Sequence, residues 1–142
     1  MRTVAFQGYY TSLAKIAEYV HQSAQGAGLD RSSLYAVESA VDEACTNIIE
    51  HSYGGEGIGN IQCTCLTDEN TLTIILQDQG RPFDPSQICK PDLSTSLEER
   101  QTHGLGLYFI HQFMDEVHSE FTPNSGNILK MVKYIHNVNH VE

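Results

Sequence analysis

The chain is short of positive charge. Its 142 residues hold eight Lys and Arg against eighteen Asp and Glu, a formal net charge of −10. Proteins that grip nucleic acid draw affinity from basic side chains that neutralise phosphates, so direct nucleic-acid binding is not expected. Long apolar runs are missing too: none reaches the roughly 18 residues of a bilayer-spanning helix. The opening Met-Arg-Thr-Val-Ala-Phe-Gln has neither the apolar region nor the cleavage site of a secretory signal, which points to a cytoplasmic protein without a membrane segment. Cysteines number four: Cys45, Cys63, Cys65 and Cys89. One residue separates Cys63 from Cys65, where zinc loops use two to four, so these read as small buried hydrophobes in a reducing compartment. There is no Gly-x-x-x-x-Gly-Lys-Ser/Thr phosphate loop, no regular β-α alternation and no internal repeat.

What is present is enough for one folded domain over residues 1–142. The hydrophobic content is 40%, and a chain of this length buries roughly two-thirds of its unfolded surface. Residues 2–7 alternate, with Val4 and Phe6 on one side, and read as a first strand. From Thr11 to about Gln25, Leu13, Ile16, Ala17 and Val20 make a helical stripe that ends at Gly26 and Gly28. Asp30, Ser32 and Ser33 offer a cap for a second helix, expected from Leu34 to Tyr53 and closed by Gly54 and Gly55. Strands are expected at 60–67 and 71–78 across an Asp68-Glu69-Asn70 turn, and at 116–122 and 127–135 across Pro123-Asn124-Ser125-Gly126. A short helix carrying Leu107, Ile110 and Met114 precedes the last pair. This order predicts an α+β two-layer sandwich, helices on one face of a mainly antiparallel sheet.

Three local features carry chemistry. On the second helix, Leu34, Val37, Val41, Ala44 and Ile48 form the core stripe, while Glu43 and Asn47 share a face roughly 130° away at about 100° per residue. A carboxylate and a carboxamide one turn apart suit a metal or a hydroxyl, and equally suit a solvated helix face. In the 71–78 strand, Leu72, Ile74 and Leu76 point to the core, and the next residue on that face is Asp78. A carboxylate there needs donors, from the turn amides at the strand end or from a ligand. The 80–103 connection is long for a compact domain. It leads into His103-Gly104-Leu105-Gly106-Leu107 at a helix start, where glycine lets backbone amides approach an anion or simply makes a tight turn.

Together, and in this order, these segments resemble the Bergerat-fold ATPases, and most closely the anti-sigma-factor serine/threonine kinases. Asp42-Glu-Ala-Cys-Thr-Asn-Ile-Ile-Glu-His-Ser-Tyr-Gly-Gly55 looks like their N box. Asp78-Gln-Gly-Arg-Pro-Phe-Asp-Pro85 looks like the first glycine box, and Gly104-Leu-Gly-Leu-Tyr-Phe-Ile110 with Met114-Asp-Glu-Val117 like the second. The resemblance implies ATP and Mg²⁺ as cofactors, Asn47 as a Mg²⁺ ligand and Glu43 as general base. It implies Asp78 as acceptor of the adenine amino group and Gly80 and Phe83 beside the base. His103, Gly104, Leu105, Gly106 and Leu107 would lie at the nucleotide, with Arg100 and Thr102 near the phosphates and 80–103 as a lid. His51 reads as helix-end packing. The implied function is phosphorylation of an anti-sigma-antagonist protein of STAS type, in exchange with a sigma factor or related regulator. A nucleotide-dependent switch that transfers no phosphate is the alternative, and a homodimer is left open.

Overall fold

The computed structural model describes residues 2–82 and 110–135. Strand β1 (Arg2–Gln7) leads through a 3₁₀ turn (Tyr10–Ser12) into helix α1 (Leu13–Gly26), and helix α2 (Arg31–Asn47) follows. Strands β2 (Asn60–Thr67), β3 (Thr71–Asp78), β4 (Glu116–Thr122) and β5 (Gly126–Tyr134) complete the described elements. They form one sheet in the order β1-β2-β3-β5-β4, with every neighbouring pair antiparallel. The α+β sandwich expected from the sequence is therefore the fold.

Alternation places the layers. In β3 every second residue is buried, and the register sets Ile61, Cys63 and Cys65 of β2 opposite Asp78, Leu76 and Ile74. Asn127, Leu129 and Met131 of β5 continue that face on the other side. Ile16, Val20 and Ala24 of α1 and Val37, Ala40, Val41, Ala44 and Cys45 of α2 close over it as one core. Burial of these side chains removes apolar surface from water at about 25 cal/mol per Å², which holds the helices against the sheet. Cys45, Cys63 and Cys65 lie inside this core as free thiols. Among the described residues, no helix is long and apolar enough to cross a membrane.

Two boundaries differ from expectation for local reasons. Asp30 caps α2 by accepting from the Ser33 amide at 2.7 Å, so the helix begins at Arg31, a turn before its first apolar residue. At its other end α2 does not run on to Tyr53. Ile48–Ser52 form a wider π-helical turn, closed by the Tyr53 amide on the Ile48 carbonyl at 3.0 Å. A wider turn takes more residues per revolution. Ala44, Ile48 and Ser52, four apart each time, therefore stay on one buried line instead of drifting round the helix. The last helical segment is described over residues 110–113, with Ile110 and Met114 buried as expected; Leu107 lies outside the described residues.

Candidate functional site

The π-helical turn delivers Ser52 to the end of β3, where Asp78 is 3% exposed. A carboxylate this deep must be met by donors, because stripping its water is costly. The Gly80 amide donates to Asp78 Oδ1 at 2.9 Å, and Asn127 Nδ2 donates to the same oxygen at 3.0 Å. Asn127 stands directly across the ladder from Asp78 and is itself buried. Burial pushes the Asp78 pKa up, and the bonds from Asn127, Gly80 and Ser52 pull part of it back. One of the two donor sources foreseen for Asp78, the turn amide, is thus present, and a cross-strand carboxamide joins it.

The turn after Asp78 is built around contacts to the end of α2. The Arg81 amide donates to the Ser52 carbonyl at 2.9 Å, and Arg81 Nε to the His51 carbonyl at 2.7 Å. Tyr53 Oη receives the Gln79 amide at 2.9 Å. Asn127 Nδ2 also reaches the Arg81 carbonyl at 2.8 Å. Gly80 is the one residue type that fits: a Cβ there would stand 2.5 Å from the Ser52 carbonyl oxygen. Gly80→Ala should cost about 1–3 kcal/mol through this backbone clash and lower the melting temperature by several degrees in a thermal denaturation scan. The His51 ring, expected to pack at the helix end, is exposed; its carbonyl is the part that anchors Arg81. Gly126 approaches as closely from the other side, with a positive φ of 77° and its α-carbon against the Asp78 carbonyl.

Asn47 is the last α-helical residue of α2 and lines a cavity with Ala44, Ile48, Ser52, Asp78, Ile110 and Asn127. This space, about 30 Å³, mixes apolar side chains with the polar residues Asn47, Ser52, Asp78, Ser119, Glu120 and Asn127, so it is the floor of a site and not a full ligand pocket. A more open cleft runs along the opposite side of the Asp78–Arg81 turn. It shares Ser52 and Asp78 with the cavity under α2; Asn47 lines only that cavity, and Glu43 lines neither. Glu43, one helical turn before Asn47, is half-buried. Burial raises its pKa, and the neighbouring Asp42 and Glu50 carboxylates raise it further. Such an acid holds its proton more tightly than a free carboxylate and is a better base once ionised.

The structure therefore brings Asn47, Asp78 and Gly80 together at one end of the sheet, with Glu43 one helical turn back along α2. Phe83, Arg100, Thr102, His103, Gly104, Leu105, Gly106 and Leu107, with the 80–103 lid beyond Pro82, lie outside the described residues. Ser52 and Asn127 surround Asp78 without having been singled out in the sequence, and Arg81, a candidate phosphate contact by sequence, bonds the His51 and Ser52 carbonyls. For Asn127 a signal existed: it ends the apolar face of β5 as Asp78 ends that of β3, so aligning the two strands pairs the two anomalies.

Comparison with known proteins fits this geometry. Residues 6–133 match the family model described as "Histidine kinase-like ATPase domain". The "Anti-sigma F factor" of Caldanaerobacter subterraneus subsp. tengcongensis is 37% identical over 100 residues, 70% of this chain and 68% of that protein. The "Serine-protein kinase RsbW" of Bacillus cereus is also 37% identical over 100 residues, 68% of this chain and 61% of that protein. Among solved structures, the catalytic domain of histidine kinase ThkA superposes with a TM-score of 0.55 at 14% identity, covering 95% of this chain and 98% of that one, a likeness of fold. On its sequence, its sheet order and the acid that closes β3, this chain belongs to the histidine kinase-like ATPase family, in the branch of the anti-sigma-factor kinases.

Proposed function

We propose that the chain is an ATP-dependent serine/threonine protein kinase of the anti-sigma type. Its protein substrate is a STAS-type anti-sigma antagonist, and it exchanges that antagonist for a sigma factor or related regulator. The observation that carries this reading is the half-buried Glu43, its pKa raised, one helical turn from Asn47 on the helix that ends against Asp78. Relatives named as an anti-sigma factor and as a serine-protein kinase support it, and the chain spans 61% of the latter's length.

The residues fit the group they are asked to hold. Asp78 is a buried acceptor at the end of β3, of the kind that the amino edge of adenine can donate to. The Asn47 carboxamide supplies the hard oxygen that Mg²⁺ prefers, and Mg²⁺ commonly takes only one or two ligands from protein. When bound, Mg²⁺ neutralises charge on the phosphates, where phosphoryl transfer rests mainly on positioning and electrostatics. Glu43 then accepts the proton of the attacking Ser or Thr hydroxyl. Asp78, held by Asn127 and Gly80, fixes the base end of the nucleotide, and α2 joins the two roles in one rigid element. Backbone amides of 104–106 complete the phosphate contacts in this reading. The deciding experiment is incubation with γ-labelled ATP, Mg²⁺ and a STAS-domain antagonist from the same genome. Label on a Ser or Thr of the antagonist is expected, and its absence would overturn the assignment.

A further inference from the structure

Tyr9, Tyr10 and Ile58 are large side chains left in water, 42%, 42% and 63% exposed, on two adjoining segments. The Tyr9 ring lies over Gly57, close enough that a methyl added there would stand 3.0 Å from its hydroxyl. The Ile58 side chain turns back toward Gly55. The two segments that carry them are fastened by backbone bonds, Gly8 amide to Gly59 carbonyl at 2.8 Å and Gly57 amide to Gly8 carbonyl at 3.0 Å. Tyr10 is pinned twice: its amide donates to Glu56 Oε1 at 2.8 Å and its hydroxyl to Glu50 Oε2 at 2.9 Å. The patch is thus apolar, rigidly mounted and edged with carboxylates. Residues 42–56 hold Asp42, Glu43, Glu50 and Glu56 and no Lys or Arg. Glu50 links the patch to the reacting end, since its charge is among those that raise the Glu43 pKa.

We propose that Tyr9, Tyr10 and Ile58, with Glu50 and Glu56, dock the protein that receives the phosphoryl group. The segment they take carries an apolar side chain and a Lys or Arg close to the acceptor hydroxyl. This inference rests on the kinase reading above and names how its substrate is recognised. The Tyr10 side chain, already held by its bond to Glu50, loses little freedom on binding, which favours it as an anchor. Carboxylates around an apolar centre steer a basic partner and repel an acidic one. That charge argues against a second copy as occupant: in a two-fold interface the same patch meets itself, and Glu50 and Glu56 would face like charges in a chain already at −10.

The test is steady-state transfer from Mg-ATP to the STAS-domain antagonist by Ile58→Asp and Tyr9→Ala, with ATP affinity and solution mass measured alongside. Ile58→Asp should raise KM for the antagonist about tenfold, the size expected of an interface anchor, with kcat and ATP affinity unchanged. The wild-type KM should climb with added salt as the carboxylate steering is screened. A KM within twofold of wild type in both variants overturns the docking surface. So does a changed solution mass, which would make the patch a contact between copies. If wild type transfers no phosphoryl group, the kinase reading fails separately. Docking is then decided by titrating the antagonist: binding weakened tenfold by Ile58→Asp sustains it, and unchanged binding removes it.

Discussion

Replacing Glu43 by alanine should lower phosphoryl transfer to the antagonist by about 10²–10⁴-fold, the usual contribution of a positioned general base, while ATP still binds. The split follows from position. Glu43 lies a full helical turn from Asn47 and outside the cavity that Asn47 shares with Asp78, so its loss leaves the cavity intact. Single-turnover transfer and nucleotide titration measured on the same preparation check both halves. Equal transfer by wild type and variant would remove Glu43 from the chemistry and leave a nucleotide-dependent switch. The pH profile adds an independent reading. Glu43 must be ionised to accept a proton, and burial with Asp42 and Glu50 holds its pKa above the ordinary 4.5. The acid limb of kcat/KM should therefore fall at a higher pH than a free carboxylate would give. Glu50→Gln, which removes one of the charges responsible, should move that limb to lower pH.

Asp78→Asn should weaken ATP binding by about 10²-fold, measured by calorimetric titration, without unfolding the protein. Losing a hydrogen bond to a charged acceptor costs about 1.5–3 kcal/mol, and an amide presented to the adenine amino group sets donor against donor. The fold survives because Asn keeps an oxygen for the Gly80 amide and Asn127 Nδ2, which already converge on one atom, and the Ser52 hydroxyl can turn to accept from the new amide. Stability should rise at neutral pH. The folded pKa of Asp78 lies above its unfolded value near 3.8, so the folded state binds the proton more tightly. Wild-type stability is therefore fullest below pH 3.8 and falls as pH climbs through the folded pKa. The Asn variant has no such loss. Its melting temperature should exceed that of wild type above that interval and converge on it below. A lower melting temperature at pH 7 would mean that the charge of Asp78 is satisfied better than its burial implies.

Much of this was written in the period of the sequence. Alternation set the faces of β2 and β3 and left Asp78 as a visible exception, and the i, i+4, i+7 spacing of Val37, Val41 and Ala44 oriented α2 with Glu43 and Asn47 away from the core. The resemblance across the three boxes implies a ligand for Asp78, the adenine amino group of the proposed nucleotide. What period could not show was the π-helical turn, because an apolar stripe tolerates one change of pitch without losing its pattern. Nothing in the stripe therefore marks Ser52 as a buried residue. Asn127 was hidden differently: the sequence places it at the start of the 127–135 strand, and only the strand register reveals that it faces a carboxylate. Gly80 was assigned to the nucleotide, yet its nearest constraint is the protein's own Ser52 backbone. Local chemistry is legible one residue at a time, whereas contacts between segment ends need the register.

The wide turn at Ile48–Ser52 works like an odd tooth in a gear train. Deleting one residue there would restore the ordinary pitch and swing everything after it by about 100°, carrying Ser52 off its buried line and its carbonyl away from the Arg81 amide. The Asp78 end of the sheet would then be unhooked from the helix that carries Glu43. An equal deletion in the exposed Asp68–Asn70 hairpin turn should be absorbed locally. A pair of such deletions, compared by melting temperature and ATP titration, should separate sharply. In this chain, length is least negotiable inside a helix.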